Sequence, residues 1–349
     1  MMRKHVYQLT NLHFLGSRIT TFPDGSWSRD TLDFAYKDVR CTLQQAEGYR
    51  ETIKELSRTH GAGITATLTL ETDIDRPQHE MDELADAACE LLAFATKNEV
   101  FWAKRDTFDE NGSLVSGKGR SLGARVRDFH EGWSILNDVV ITKDNGHRDE
   151  LQIFLRTVFE RYFDTLRAKL KLPLMWIAEA EHFGFVDLNF MTLFIAMERL
   201  KSEFAPKKKQ DFLHLDWQRM LDGELAKTVL SAIQDEVGPL SPEQEKAIIG
   251  KLRGANTPST GVQIDEFCRS LGVKGLEKDM TELRNKLTHT AAYGNFDLPK
   301  VLSLHVELSH VVDVCVLKIL GYRGYYCHRA TDWRNVSLDE ESTAEDKIS

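Results

Sequence analysis

Residues 284–289 read Arg-Asn-Lys-Leu-Thr-His inside the stretch LEKDMTELRNKLTHTAAYG. On a helix turning about 100° per residue, with Arg284 at zero, Asn285 lies near about 100° and His289 near about 140°. Met280, Leu283 and Leu287 fall on the opposite side, between about −100° and −40°. Asn285 and His289 are four apart and adjacent on the helix surface, with Arg284 beside them. An imidazole moves protons near neutral pH, and a guanidinium pairs with two phosphate oxygens as charge builds on them. Together they supply what phosphodiester cleavage needs without a metal, with Asn285 placed to orient either group. The competing reading is the wet face of an ordinary amphipathic helix, and composition alone favours it.

Other candidate motifs are weaker. GSLVSGKG, residues 112–119, follows a phosphate-binding loop until Gly119, which stands where a Ser or Thr would hold magnesium. It also follows a polar Glu-Asn-Gly turn, so a flexible hairpin arm is the expectation. Lys104, Arg105, Lys118, Arg120, Arg125 and Arg127 surround it, as a solvated face or a phosphate-attracting patch. PKKKQ at 206–210 reads as a basic loop. The 12 histidines lack H-x-x-x-H spacing and no Cys-x-x-Cys pair exists, so neither a metal site nor a cofactor is expected. Cys327 and His328 are neighbours in sequence, which does not make a nucleophile and its base.

The elements that must carry Arg284, Asn285 and His289 are legible from periodicity. The 349 residues, 42% hydrophobic and 28% charged, suit a soluble chain with a real core. The formal net charge of −9 does not recruit nucleic acid by itself, so any such site must be local or form where chains meet. The five cysteines are scattered and fit a reducing compartment. MMRKHVYQLT has no apolar run after its basic residues, and VVDVCVLKIL is short and holds Asp313 and Lys318. A cytoplasmic protein without membrane partners is therefore expected.

The fold class expected is α+β. Residues 1–147 mix strand and helix signals: GITATLTLET alternates as a strand, HEMDELADAACELLAFATKN is helical, and VFWAKRDTF pairs with GSLVSGKGRSLGARVRDF. From residue 148 to 334 the pattern is all helical. Leu151 to Leu166 form an amphipathic helix ending before Pro173, and FVDLNFMTLFIAMERLKSEF is apolar on nearly all sides, hence central. LDWQRMLDGELAKTVLSAIQDEV follows, then SPEQEKAIIGKL opens with a capping box at Ser241 and Gln244. LPKVLSLHVELSHVVDVCVLKILGY closes at Gly321. The acidic tail, 335–349, is expected to be disordered.

An Arg, a polar residue and a His in R-x4-H spacing, on the penultimate long helix of a bundle, resembles the motif of the HEPN superfamily. FIAMERLKSEF on an early helix and the closing KILGYRGYY are similar to ApeA-type HEPN proteins of bacterial anti-phage defence. The resemblance covers about residues 150–334. It implies a HEPN-like helical domain and a metal-independent endoribonuclease that works as a homodimer or higher oligomer. The RNA's own 2′-hydroxyl would attack and leave a 2′,3′-cyclic phosphate. By position, Arg284 stabilises the phosphorane, His289 is the general acid or base, and Asn285 matches the polar residue after the Arg. Glu198 matches an acid that can pair with the Arg; its plainer reading is an exposed residue at the end of an apolar turn. By the same analogy the amino-terminal region senses a phage-derived trigger or gates the nuclease, in abortive infection or toxin-type defence. A non-catalytic HEPN-fold binding module and a helical adaptor with a chance RNKLTH remain the alternatives.

Overall fold

The computed structural model describes residues 3–21, 27–120, 134–136, 140, 141, 147–180, 182, 184–206, 217–256, 258–328 and 334–338. Its first part is a seven-stranded antiparallel sheet built from β1 (Arg3–Thr10), β2 (Arg18–Thr21), β3 (Trp27–Tyr36), β4 (Val39–Gln45), β5 (Ile64–Thr72), β6 (Trp102–Phe108) and β7 (Leu114–Gly119). The strand order is β2-β3-β4-β5-β1-β6-β7, which puts the amino-terminal strand between β5 and β6. Val39, Cys41 and Leu43 of β4 are buried while Arg40 and Gln44 are exposed, the alternation of a sheet with one covered face. Helix α1 (Tyr49–Thr59) links β4 to β5, and α2 (Gln78–Thr96) links β5 to β6. α2 packs on β1 and β6, and its Leu84, Ala88, Leu91 and Leu92 are all fully buried.

The hairpin β6–β7 turns at Asn111 and Gly112, as the Asn-Gly signal predicts, with Gly112 at a φ of 77°. β7 is exposed along its whole length, so the phosphate-loop lookalike is a hairpin arm. Of the described basic residues beside it, Lys104 and Lys118 are solvated and Arg105 is buried, and each is paired with an acid. Arg105 is buried against Asp82, Lys118 reaches Asp82 and Arg120 pairs with Asp86, both acids on α2, while Lys104 pairs with Asp106. Arg125 and Arg127 lie outside the described residues, as do residues 207–210 of the basic run.

A short pair, β8 (Val140–Ile141) and β9 (His147–Arg148), precedes the helices. These are α3 (Glu150–Arg161), α4 (Arg167–Glu179), α5 (Val186–Phe204), α6 (Trp217–Asp222), α7 (Glu224–Val237), α8 (Pro242–Gly254), α9 (Thr260–Ser270), α10 (Lys278–Thr290) and α11 (Leu298–Leu320). α5 packs against α4, α9, α10 and α11, so it is central as its apolar composition predicts. α8 has the expected capping box, Ser241 accepting from the Gln244 N–H and Gln244 from the Ser241 N–H. Gly321 ends α11 at a φ of 80°.

Two expectations fail here. Pro173 does not break the chain. α4 runs through it, and the irregularity is instead a wide π turn at Tyr162–Leu166. An interior proline costs about 3 kcal/mol. Leu170, Pro173, Leu174 and Ile177 are all buried, and that apolar face offsets the lost N–H bond. The second part is also not wholly helical. β10 (Tyr325–His328) pairs with β11 (Arg334–Ser337), which takes in residues 335–337 of the supposed disordered tail. Leu338 is buried beyond it, because the ribbon closes over the core; residues 339–349 lie outside the description.

One hydrophobic core runs through both parts. Phe34 of β3 meets Phe159 of α3 edge-on at 5.0 Å, and Phe94 of α2 lies 6.4 Å from Phe154 of α3. Polar bonds cross the same boundary. Tyr162 Oη and Arg167 Nε donate to Glu90 at 2.7 and 2.9 Å, and Lys97 Nζ sits 2.6 Å from Asp313 Oδ1. The hydrophobic core is thus continuous across the change of pattern near residue 147. Among the described residues no helix is long and apolar enough to cross a membrane.

Candidate functional site

α10 forms because Met280 and Leu283 drop into the core beneath α5 and α11, leaving the polar arc outside. Its last turn ends at Ala291 in the left-handed region, φ 50°, whose N–H donates to Leu287 O at 3.2 Å. Holding a residue with a Cβ there costs about 1–2 kcal/mol. His289 lies in that last turn, exposed, with no side-chain hydrogen bond among the described residues. Asn285 is exposed one turn before it.

Arg284 differs from the helical-wheel picture. Its backbone belongs to the polar arc, but its side chain lies back on α5, 27% exposed. Arg284 Nη2 donates to Glu198 Oε1 at 3.0 Å, and Glu198 is 32% exposed. The guanidinium carbon stands 5.7 Å from the centroid of the Phe194 ring. Phe194 and Glu198 are four apart on α5, so one face of that helix offers a ring below the cation and a carboxylate beside it. Arg284 Nη1 donates to Asn285 Oδ1 at 3.2 Å, which ties the two neighbours together. Two of the five guanidinium donors are thereby used, leaving others for an incoming anion.

The structure thus brings Arg284, Asn285 and Glu198 into one bonded group, with His289 one turn along α10 and unbonded. Phe194 is the contributor that pattern reading did not single out. It was readable only as the residue four before Glu198 in FIAMERL, a spacing that says which residues share a face and not what lands on them. Thr288 Oγ1 donates to Arg284 O at 2.8 Å and Thr290 Oγ1 to Lys286 O at 2.8 Å, so both hydroxyls are turned back onto the helix. Among the described residues no group of three His, Cys, Asp or Glu is placed to hold a metal ion. Comparison of the chain with protein-family models, with curated proteins and with solved structures gives no match.

Proposed function

We propose that the chain is a metal-independent endoribonuclease of HEPN type, in which residues 148–334 act as the HEPN-like helical domain and two copies meet around one cleft. The observation that carries this reading is the docked Arg284. A guanidinium fixed by Glu198 and Phe194 on a neighbouring helix, with an exposed unbonded imidazole one turn away, suits a phosphate and its proton traffic.

In this reading the imidazole of one His289 takes the proton of the ribose 2′-hydroxyl as that oxygen attacks phosphorus. Arg284 pairs with the non-bridging oxygens as negative charge collects on them. The P–O5′ bond breaks, and a second His289, in its protonated form, gives a proton to the departing 5′-oxygen. The products are a 2′,3′-cyclic phosphate and a 5′-hydroxyl, with no net change in protons. Two Arg284–His289 sets from facing copies concentrate positive potential locally although the chain as a whole is acidic. Asn285 helps hold Arg284. The setting is anti-phage abortive infection or a toxin-type response in the cytoplasm, with a phage-derived trigger acting on the first part.

The second reading, a binding module without catalysis, draws on the same ion pair, since Glu198 neutralises Arg284 as a purely structural partner would. Expression of the chain, with and without phage infection, separates the two. On the nuclease reading the wild type fragments cellular RNA and slows growth, the purified protein still cuts RNA in chelator, and Arg284→Ala and His289→Ala abolish both effects. Equal RNA cleavage by those variants refutes the nuclease.

A further inference from the structure

A cavity of about 340 Å³ opens between α1 and the strands beside it. Its lining includes His13, Arg29, Tyr49, Arg50 and Lys54, and among the described residues no carboxylate lines it. In a chain with a formal net charge of −9, a hollow whose described lining holds three formal cations, one of them paired with Asp149 outside that lining, and no acid is a local reversal of sign. Tyr49, Ile53 and Ser57 are spaced by four along α1, as are Arg50 and Lys54, so the hollow follows two turns of one helix face.

Its parts differ in freedom. Arg50 and Lys54 are exposed and make no ion pair or hydrogen bond through their side chains among the described residues. Arg29 is already paired with Asp149, which stands at the N-cap position of α3 without a side-chain bond to that helix. The Tyr49 ring is held rigidly, because its hydroxyl accepts from Phe14 N at 2.8 Å and donates to Phe14 O at 3.0 Å. The His13 ring lies nearly parallel to it, 23° between planes and 6.2 Å between centroids. Tyr49 is only 8% exposed, so the half-buried His13 ring, backed by Tyr49, is the aromatic surface open beside two uncommitted cations, a match for a flat ring carrying an anionic group. The volume lies at the small end of the range for small-molecule sites, about 300–1,000 Å³.

We propose that this hollow is a binding site for a small phosphate-bearing ligand of nucleotide size, its phosphate held by Arg50 and Lys54 and its ring set against His13, which Tyr49 backs. The site is independent of Arg284 and His289, and its occupancy does not depend on any nuclease activity. Titration calorimetry on the full chain tests it with AMP, ATP, ribose 5-phosphate, inorganic phosphate and the uncharged nucleoside adenosine. AMP or ATP is expected to bind at one site per chain, more tightly than ribose 5-phosphate or inorganic phosphate, and more weakly as salt rises. Adenosine is expected to bind at least about tenfold more weakly than AMP, since each charge-assisted contact contributes a comparable factor. Arg50→Gln and Lys54→Gln alter exposed side chains, so the double variant should melt like the wild type while losing at least about tenfold in AMP affinity. No binding of any phosphate probe at millimolar concentration overturns the proposal. So does adenosine binding as well as AMP, inorganic phosphate binding as tightly as AMP, or a folded double variant that binds unchanged.

Discussion

Glu198→Gln is the perturbation that most directly asks whether the docking of Arg284 serves chemistry or only packing. Glutamine keeps the length and an acceptor oxygen for Arg284 Nη2 but removes the charge that now sits 3.0 Å away. Both side chains are about a third exposed or less, so water and salt screen the pair, and a pair of this kind contributes no more than about 1 kcal/mol to stability. For a chain of 349 residues that is a drop in Tm of no more than about 2 °C. The Phe194 ring remains under the guanidinium and adds about 0.5–1 kcal/mol toward keeping it in place. If Arg284 meets the phosphate from this position, a displacement of about 1 Å is enough to lower the cleavage rate by about a hundredfold. The expected result is a near-normal melt with a rate reduced by about ten- to a hundredfold, seen in kcat more than in KM. Adding Glu198→Gln to Arg284→Ala should cost nothing further, since both act through one guanidinium. The assay is cleavage of a fluorophore-labelled RNA by purified protein in chelator, alongside thermal melts. An unchanged rate at unchanged Tm would show that Glu198 does not position Arg284. A faster rate would show that the ion pair restrains the arginine, which reverses the reasoning.

Two further outcomes concern the fold that holds the site. His5 of β1, its Nδ1 3.1 Å from Thr107 Oγ1, is buried, and that burial, with the Arg105 guanidinium next and Arg3 also adding, pushes its pKa from 6.5 down to about 4 against the pull of Asp82. Between those values the unfolded chain binds the proton and the folded chain does not. Stability should therefore fall as pH drops from about 6.5 toward about 4. His5→Gln should flatten that part of a urea-derived stability profile, and an unchanged slope would remove His5 as its source. Lys97 and Asp313 are 0% and 4% exposed, so Asp313→Asn takes the carboxylate from a buried ammonium and should cost about 3–5 kcal/mol in urea unfolding. The pair Lys97→Met with Asp313→Leu should recover most of that loss, and a double variant as unstable as the single one would contradict it.

The strands and helices that the pattern reveals are those whose neighbours in sequence carry the signal. β5, α2, the β6–β7 hairpin, α5, α8, α10 and α11 all show period, cap or turn residues within their own span. β3 and β4 do not. They are joined at Lys37 and Asp38, with Lys37 at a φ of 52°, where a turn signal would normally be Gly or Asn. β1 presents His5 inward beside Tyr7 and Leu9, so its alternation reads as broken. The pairing of Arg105, Lys118 and Arg120 with Asp82 and Asp86 joins residues 23–36 positions apart and leaves no local trace. At the candidate site the wheel gives the arc of α10 correctly and misjudges only Arg284. A side chain of that length reaches the next helix, and nothing in RNKLTH says which helix that is.

The shared core limits how the first part of the chain can influence the second. Phe34 against Phe159 and Phe94 against Phe154, with Glu90 on Arg167, tie the described residues of the two parts together. Influence has to pass through contacts that exchange one partner for another. Arg29 is such a contact, since it lines the cavity and pairs with Asp149, both side chains 19% exposed. A phosphate drawing on Arg29 competes with that carboxylate, and the cost of the exchange is subtracted from its affinity. Arg50 and Lys54, with no ion pair to give up among the described residues, would therefore supply the net binding of the proposed ligand, while Arg29 would link it to the start of α3. Asp149 sits at the N-cap position with no side-chain bond to the helix, and once released it can accept from the first-turn N–H groups. A new N-cap bond contributes about 1 kcal/mol, or about a fivefold change in an equilibrium, so with the lost ion pair set against it the coupling entering at α3 would be modest at most.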